Sequence, residues 1–125
     1  MKKNTGITRV LLAFKHSGKG FKFLITKEAA FQQEFILAAV LAPLSFFISQ
    51  SLSELLLLIM SLVLVLIVEI LNTAIEATVD RIGQEYHELS GLAKDIGSMA
   101  VLISLLFAAG VWITFLWRYT NIVTN

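Results

Sequence analysis

Residues Leu55 to Asp80 read LLLLIMSLVLVLIVEILNTAIEATVD. The stretch is uncharged from Leu55 to Val68, then places Glu69, Asn72, Thr73, Glu76 and Asp80 at steps of +3, +4, +7 and +11. At about 3.6 residues per turn these five share one helical face, and Ile70, Leu71, Ala74 and Ala77 occupy the opposite one. The pattern predicts a membrane helix with a polar stripe running out of it. Glu69 lies 14 steps, about 21 Å of rise, beyond Leu55. It therefore stands within, or at the edge of, a hydrocarbon core of about 30 Å.

The rest of the chain agrees with a membrane setting. Of 125 residues, 57% are apolar and 15% are charged, against about 45–50% and about 25% in soluble domains. This excludes a secreted domain, a disordered chain and a nucleic-acid binder. The absence of cysteine removes disulfides, thiolate catalysis and Cys-based zinc sites. Spans are expected at about 29–48, 55–76 and 96–117, after an arm over 1–28, all in one membrane-embedded domain. The first span begins too late, and after too many lysines, for a cleaved signal peptide.

Seven basic residues precede the first span: Lys2, Lys3, Arg9, Lys15, Lys19, Lys22 and Lys27. The link 49–54 has none, the 80–95 link has Arg81 and Lys94, and the tail has Arg118. The positive-inside rule puts the N-terminus and the 80–95 link in the cytoplasm and the C-terminus outside, with Trp112, Trp117 and Tyr119 in an outer aromatic belt. In the arm, Ile7, Val10, Leu11, Phe14, Phe21, Leu24 and Ile25 fall on one face beside a stripe of Lys15, Lys19 and Lys22. This predicts an amphipathic helix lying in the interface. Gly18 and Gly20 are expected to divide it, and Pro43 to kink the first span.

An ionisable group at membrane depth marks a functional site; the plainer reading is a glutamate paired across helices for packing. Glu69 and Glu76 lie about 10 Å apart along the axis, too far to share one ion. The deeper Glu69 suits a general base, and Glu76 a hard divalent cation such as magnesium. A second carboxylate must then come from elsewhere: Glu28 is at a suitable depth, and Glu34 lies further in. Arg81 and Lys94 suit phosphate oxygens, and Tyr86 or His87 a base. No Walker A or kinase Gly-rich loop occurs.

The block Glu69–Asp80, with Glu85-Tyr-His-Glu-Leu-Ser90 and Ala93-Lys-Asp-Ile-Gly97, resembles the signature of the prokaryotic diacylglycerol kinases, small integral-membrane lipid kinases. The resemblance covers nearly the whole chain and extends to Asn4–Arg9 and Lys27–Glu34. It implies three transmembrane helices plus an amphipathic surface helix, an all-α bundle in a homotrimer in the inner membrane. It implies transfer of the γ-phosphate of MgATP to diacylglycerol, giving phosphatidate. By resemblance Glu69 is the base, with Asn72 beside it, and Glu28 and Glu76 carry the metal. Arg9, His16, Glu28, Glu76, Glu85, Tyr86, His87, Lys94 and Asp95 meet the nucleotide. Arg9, Ala30, Phe31, Gln32, Gln33, Glu34, Glu69, Ser98 and Trp112 border the lipid. The family has tyrosine where His16 stands, and Pro43 and Phe46-Phe47 set the first span apart. A related branch phosphorylates undecaprenol. A small proton-coupled multidrug-type transporter would explain a buried Glu69 but not Lys94-Asp95, and a holin-like scaffold would leave the stripe unexplained.

Overall fold

The computed structural model describes residues 3–125, so Met1 and Lys2, the first of the seven arm cations, lie outside it. Four helices follow one another: α1 (Gly6–Lys27), α2 (Ala29–Ile48), α3 (Leu52–Ile82) and α4 (Glu88–Thr124). No described residue is in a strand. The last three are long and apolar enough to cross a membrane. With 31 and 37 residues, α3 and α4 rise about 46 and 55 Å. Both outrun a core of about 30 Å, so their ends stand in the polar layers.

Helix α2 has the limits expected for the first span, whereas α3 and α4 extend past the expected second and third spans on both sides. The reason lies in the caps. Ser51 Oγ accepts from the Glu54 amide at 3.2 Å, and Glu54 Oε2 accepts from the Gln50 amide at 2.7 Å, a variant of the capping box that starts α3 before its apolar run. His87 Nδ1 accepts from the Leu89 amide at 3.1 Å and starts α4 eight residues before Ile96. The other end of α3 carries its polar stripe to Ile82.

Two expectations need correction. Helix α1 runs through Gly18 and Gly20 without a break. Glycine inside a helix costs only about 1 kcal/mol, and the i, i+3, i+4 face continues on both sides. Trp112 is not in an outer belt: it is 5% exposed, packs with Ile48, Leu58 and Leu62, and donates to Ser61 Oγ at 3.1 Å. Its indole N–H finds a buried partner 51 residues away, which local spacing cannot reveal. Trp117 is exposed. Helix α2 continues through Pro43 from Ala29 to Ile48.

Helices α3 and α4 form the principal packed pair, α2 lies along α3, and α1 leans on the start of α2. A cluster of Phe21, Phe31 and Phe35 joins α1 to α2, with centroids 5.4 to 6.1 Å apart. Gln32 Nε2 donates to Ile25 O at 2.9 Å beside it. Two ion pairs bracket the bundle. At the turn between α2 and α3, Arg118 grips Glu54 through both oxygens at 2.6 and 2.7 Å and donates to Ile48 O at 3.1 Å. At the other end Lys94 meets Asp80 at 2.7 Å. Glu54 and Asp80 are 26 residues apart on α3, about 39 Å, so both pairs lie outside the hydrocarbon. The hydrogen bond from Arg118 pulls the Glu54 carboxyl down to about 2. The Asp80 carboxylate raises the Lys94 ammonium above its ordinary value.

Candidate active site

The polar stripe faces the protein interior. Glu69, Asn72 and Thr73 are buried, Glu76 is half-buried and Asp80 is exposed, so exposure rises along the stripe toward the α3–α4 link. Ile70, Leu71, Ala74 and Ala77 on the other face are exposed to the surroundings. The helical period thus does what the spacing predicts: it aims the polar residues at α4 and α2 and leaves an apolar face for lipid.

Around Glu69 the carboxylates converge. Glu28, the residue between α1 and α2, and Glu76 both lie within electrostatic reach of it, as does Glu34 from α2. Helix packing therefore sets Glu28 and Glu34 near enough to the Glu69–Glu76 face to interact with Glu69 electrostatically. The carboxylates do not form a closed cage: no group of three or more His, Cys, Asp or Glu able to hold an ion occurs among the described residues. Asn72 Nδ2 donates to Glu76 Oε1 at 3.3 Å. Two buried atoms nearby, Asn72 Oδ1 and Glu34 Oε2, have no hydrogen-bond partner within the protein. Unpaired buried polar atoms are costly, and these stand on the facing sides of α3 and α2.

Two cavities adjoin this face. One, about 320 Å³, is an apolar groove between α2, α3 and α4 with Glu34 at one end and Trp112 at the other. Leu41, Leu62 and Val65 contribute to its walls. Glu34 is the one charged residue in its wall. The other, about 220 Å³, is a polar hollow in the α3–α4 link, lined by Asp80, Glu85, Tyr86, His87 and Lys94 among others. His87 Nδ1 is engaged by the Leu89 amide, so the ring meets any ligand through its carbon edge or Nε2.

The predicted nucleotide contacts divide into two groups. Glu85, Tyr86, His87 and Lys94 line the link hollow, while Asp95 is exposed beside it on α4. Arg9 and His16 are exposed on α1, which packs on α2, and neither lines the hollow. The predicted lipid contacts divide likewise. Glu34 and Trp112 line the groove, Phe31 is buried in the aromatic cluster, Gln32 is spent on Ile25 O, and Ala30, Gln33 and Ser98 are exposed. Sequence reasoning missed the Ser61–Trp112 bond that closes the far end of the groove; a lone serine within an apolar run was its only signal. It also missed Gly97, which is buried against Asn72.

Comparison with known proteins places the chain in a family. Residues 15–116 match the family model described as prokaryotic diacylglycerol kinase. The diacylglycerol kinase of Escherichia coli strain K12 is 48% identical over 115 residues, 92% of this chain and 94% of that protein. That of Haemophilus influenzae is 46% identical over 112 residues, 90% and 95% of the two chains. That of Pseudomonas aeruginosa is 45% identical over 115 residues, 92% and 94%.

Proposed function

The chain belongs to the prokaryotic diacylglycerol kinase family and is an enzyme of that kind, and from that premise we propose that it transfers the γ-phosphate of ATP to the free hydroxyl of diacylglycerol. The products are phosphatidate and ADP, and the role is diacylglycerol recycling in phospholipid metabolism. One observation carries the reading: a single helical face runs from Val65 in the wall of an apolar groove, through buried Glu69 about one turn on, to exposed Asp80 in the wall of a polar hollow. A lipid hydroxyl and a nucleotide phosphate approach such a face from opposite ends.

Diacylglycerol lies with an acyl chain in the groove and its hydroxyl toward Glu69. Glu69 takes the hydroxyl proton as the oxygen attacks the γ-phosphorus; the new P–O bond forms as the bond to the β-phosphate oxygen breaks. Asn72 sits one turn along and orients the reacting groups. Lys94, released from Asp80, receives phosphate oxygens, and the Glu85–His87 stretch and Asp95 border the nucleotide. Arg9 and His16 reach it only by movement of α1 or from another copy of the chain, which agrees with a homotrimer.

The donors suit magnesium. Glu28 and Glu76 supply hard carboxylate oxygens, and Mg²⁺ takes one or two carboxylates with substrate phosphates and water rather than an all-protein cage. That no three His, Cys, Asp or Glu among the described residues are placed to hold an ion by themselves is compatible with that mode. Bound there, the ion would neutralise phosphate charge in the transition state. Supporting the orientation, the arm and the 80–95 link carry nine of the ten basic residues. The N-terminus and the link are then cytoplasmic, the C-terminus faces outward, and α1 lies on the inner membrane with its exposed Ile7, Leu11 and Phe14 in lipid.

The test is direct. Purified protein in detergent with MgATP and a short-chain diacylglycerol should release ADP and form phosphatidate. Glu69→Gln should cut turnover by about 10²–10⁴-fold, the range for a general base, while nucleotide still binds. Near-normal turnover of the variant refutes the assignment. Phosphorylation of undecaprenol in preference to diacylglycerol moves the chain to the other branch.

A further inference from the structure

We propose that Gly97 is a positioning residue for Asn72: the side chain missing at 97 is the slot that seats the Asn72 carboxamide on the catalytic face of α3. The inference deepens the proposed function and rests on its assignment of Asn72 beside the base.

Three observations carry it. Gly97 is buried in the interior of α4, where helix propensity favours alanine. A Cβ built at Gly97 overlaps Asn72 Oδ1 and lies 3.3 Å from Asn72 Cγ. The other glycines of the helix, Gly91 and Gly110, have nothing within 4 Å of such an atom. One glycine of three in α4 is thus required by a neighbour, and that neighbour is the catalytic amide.

Asn72 cannot yield freely. It has two side-chain torsions, it is buried, and its Nδ2 donates to Glu76 Oε1 at 3.3 Å. Rotating the amide to clear a methyl group at 97 breaks that bond and turns the carboxamide from the Glu69 face. Oδ1, unpaired within the protein, lies in the space that a Cβ at 97 would take. The contact spans two helices that meet through close packing, as small residues permit in membrane bundles. Its effect on the reaction passes wholly through Asn72.

The test is a double-mutant cycle with two readouts, kcat and the melting temperature in detergent. Gly97→Ala should lower kcat at least tenfold, to about the level of Asn72→Ala. Adding Gly97→Ala to Asn72→Ala should change kcat less than twofold, because the obstructed amide is gone. Melting should reverse sign: Gly97→Ala should lower the melting temperature in the parent chain and raise it in the Asn72→Ala background, where only helix propensity remains. Gly110→Ala, made in open space on the same helix, should keep activity. If Gly97→Ala alone fails to fold, recovery of folded protein in the double variant supports the slot and continued failure overturns it. Multiplicative losses in kcat, or an equal melting change in both backgrounds, overturn the proposal. If Asn72→Ala itself is fully active, the catalytic reading of Asn72 fails, and the melting cycle still decides the slot.

Discussion

Removing the hydroxyl of Ser61 strands the indole N–H of Trp112, and the cost follows from the surroundings. Ser61 is fully buried and Trp112 is 5% exposed, among Ile48, Leu58 and Leu62. The bond is 3.1 Å long, and Ser61 Oγ also donates to Leu58 O at 2.7 Å. A buried donor left unpaired costs about 1–3 kcal/mol in water-soluble proteins. Between membrane helices the coupling is smaller, about 0.6 kcal/mol on average and about 1.7 at most, because the unfolded state in lipid also finds partners. We therefore expect a coupling of about 0.6–1.7 kcal/mol between the two side chains. At about 1.36 kcal/mol per tenfold this is about three- to eighteen-fold in rate, if the bond is lost before the unfolding barrier. Ser61→Ala, Trp112→Phe and the double variant should be compared by the half-life of kinase activity in detergent at one fixed elevated temperature. Ser61→Ala should shorten the half-life in the parent chain and have little effect in the Trp112→Phe background, which has no N–H to strand. An equal fractional loss in both backgrounds refutes the coupling.

Glu76→Ala and Glu28→Ala should each raise the magnesium concentration needed for half-maximal activity, since each removes an oxygen donor from the face; unchanged midpoints with unchanged saturated rates sink the shared-metal reading. Single cysteines at Ser51 and Thr124 should label in intact cells with a membrane-impermeant maleimide, and one at Ser90 only after lysis. Labelling at 90 in intact cells contradicts a cytoplasmic nucleotide site. Leu41→Trp, which fills the groove from α2, should raise KM for diacylglycerol severalfold and leave KM for ATP unchanged; equal effects on both refute the division of the site.

The stripe from Glu69 to Asp80 and the three apolar runs were legible because both depend on local periodicity, which one helix fixes alone. The limits of α3 and α4 were less so. Hydropathy sees only the part of a helix inside hydrocarbon, and Ser51, Glu54 and His87 extend both helices through polar layers. Contacts between distant residues left weaker traces. Glu54 and Arg118 are lone charges at the ends of separate apolar runs, 64 residues apart, and nothing local pairs them. Trp112 read as interfacial because an indole suits either a headgroup layer or a buried acceptor. Gly97 read as part of a motif; its reason is steric and belongs to another helix.

The grip of Arg118 on Glu54 and Ile48 O has a mechanical consequence. It fastens the last residue of α2 to both other spans, whereas among the described residues no side-chain hydrogen bond joins the remainder of α2 to α3 or α4. Between Ile48 and its N-terminal end, α2 is held to the other spans by apolar packing alone. Glu34 stands 14 residues along it, an arm of about 21 Å. A tilt of about 5° on that arm carries Glu34 about 2 Å sideways, enough to widen the groove between α2 and α4 by half the thickness of an acyl chain. The arm length makes the Glu34 end of α2 the part of the groove wall most sensitive to the angle that Arg118 sets at Ile48.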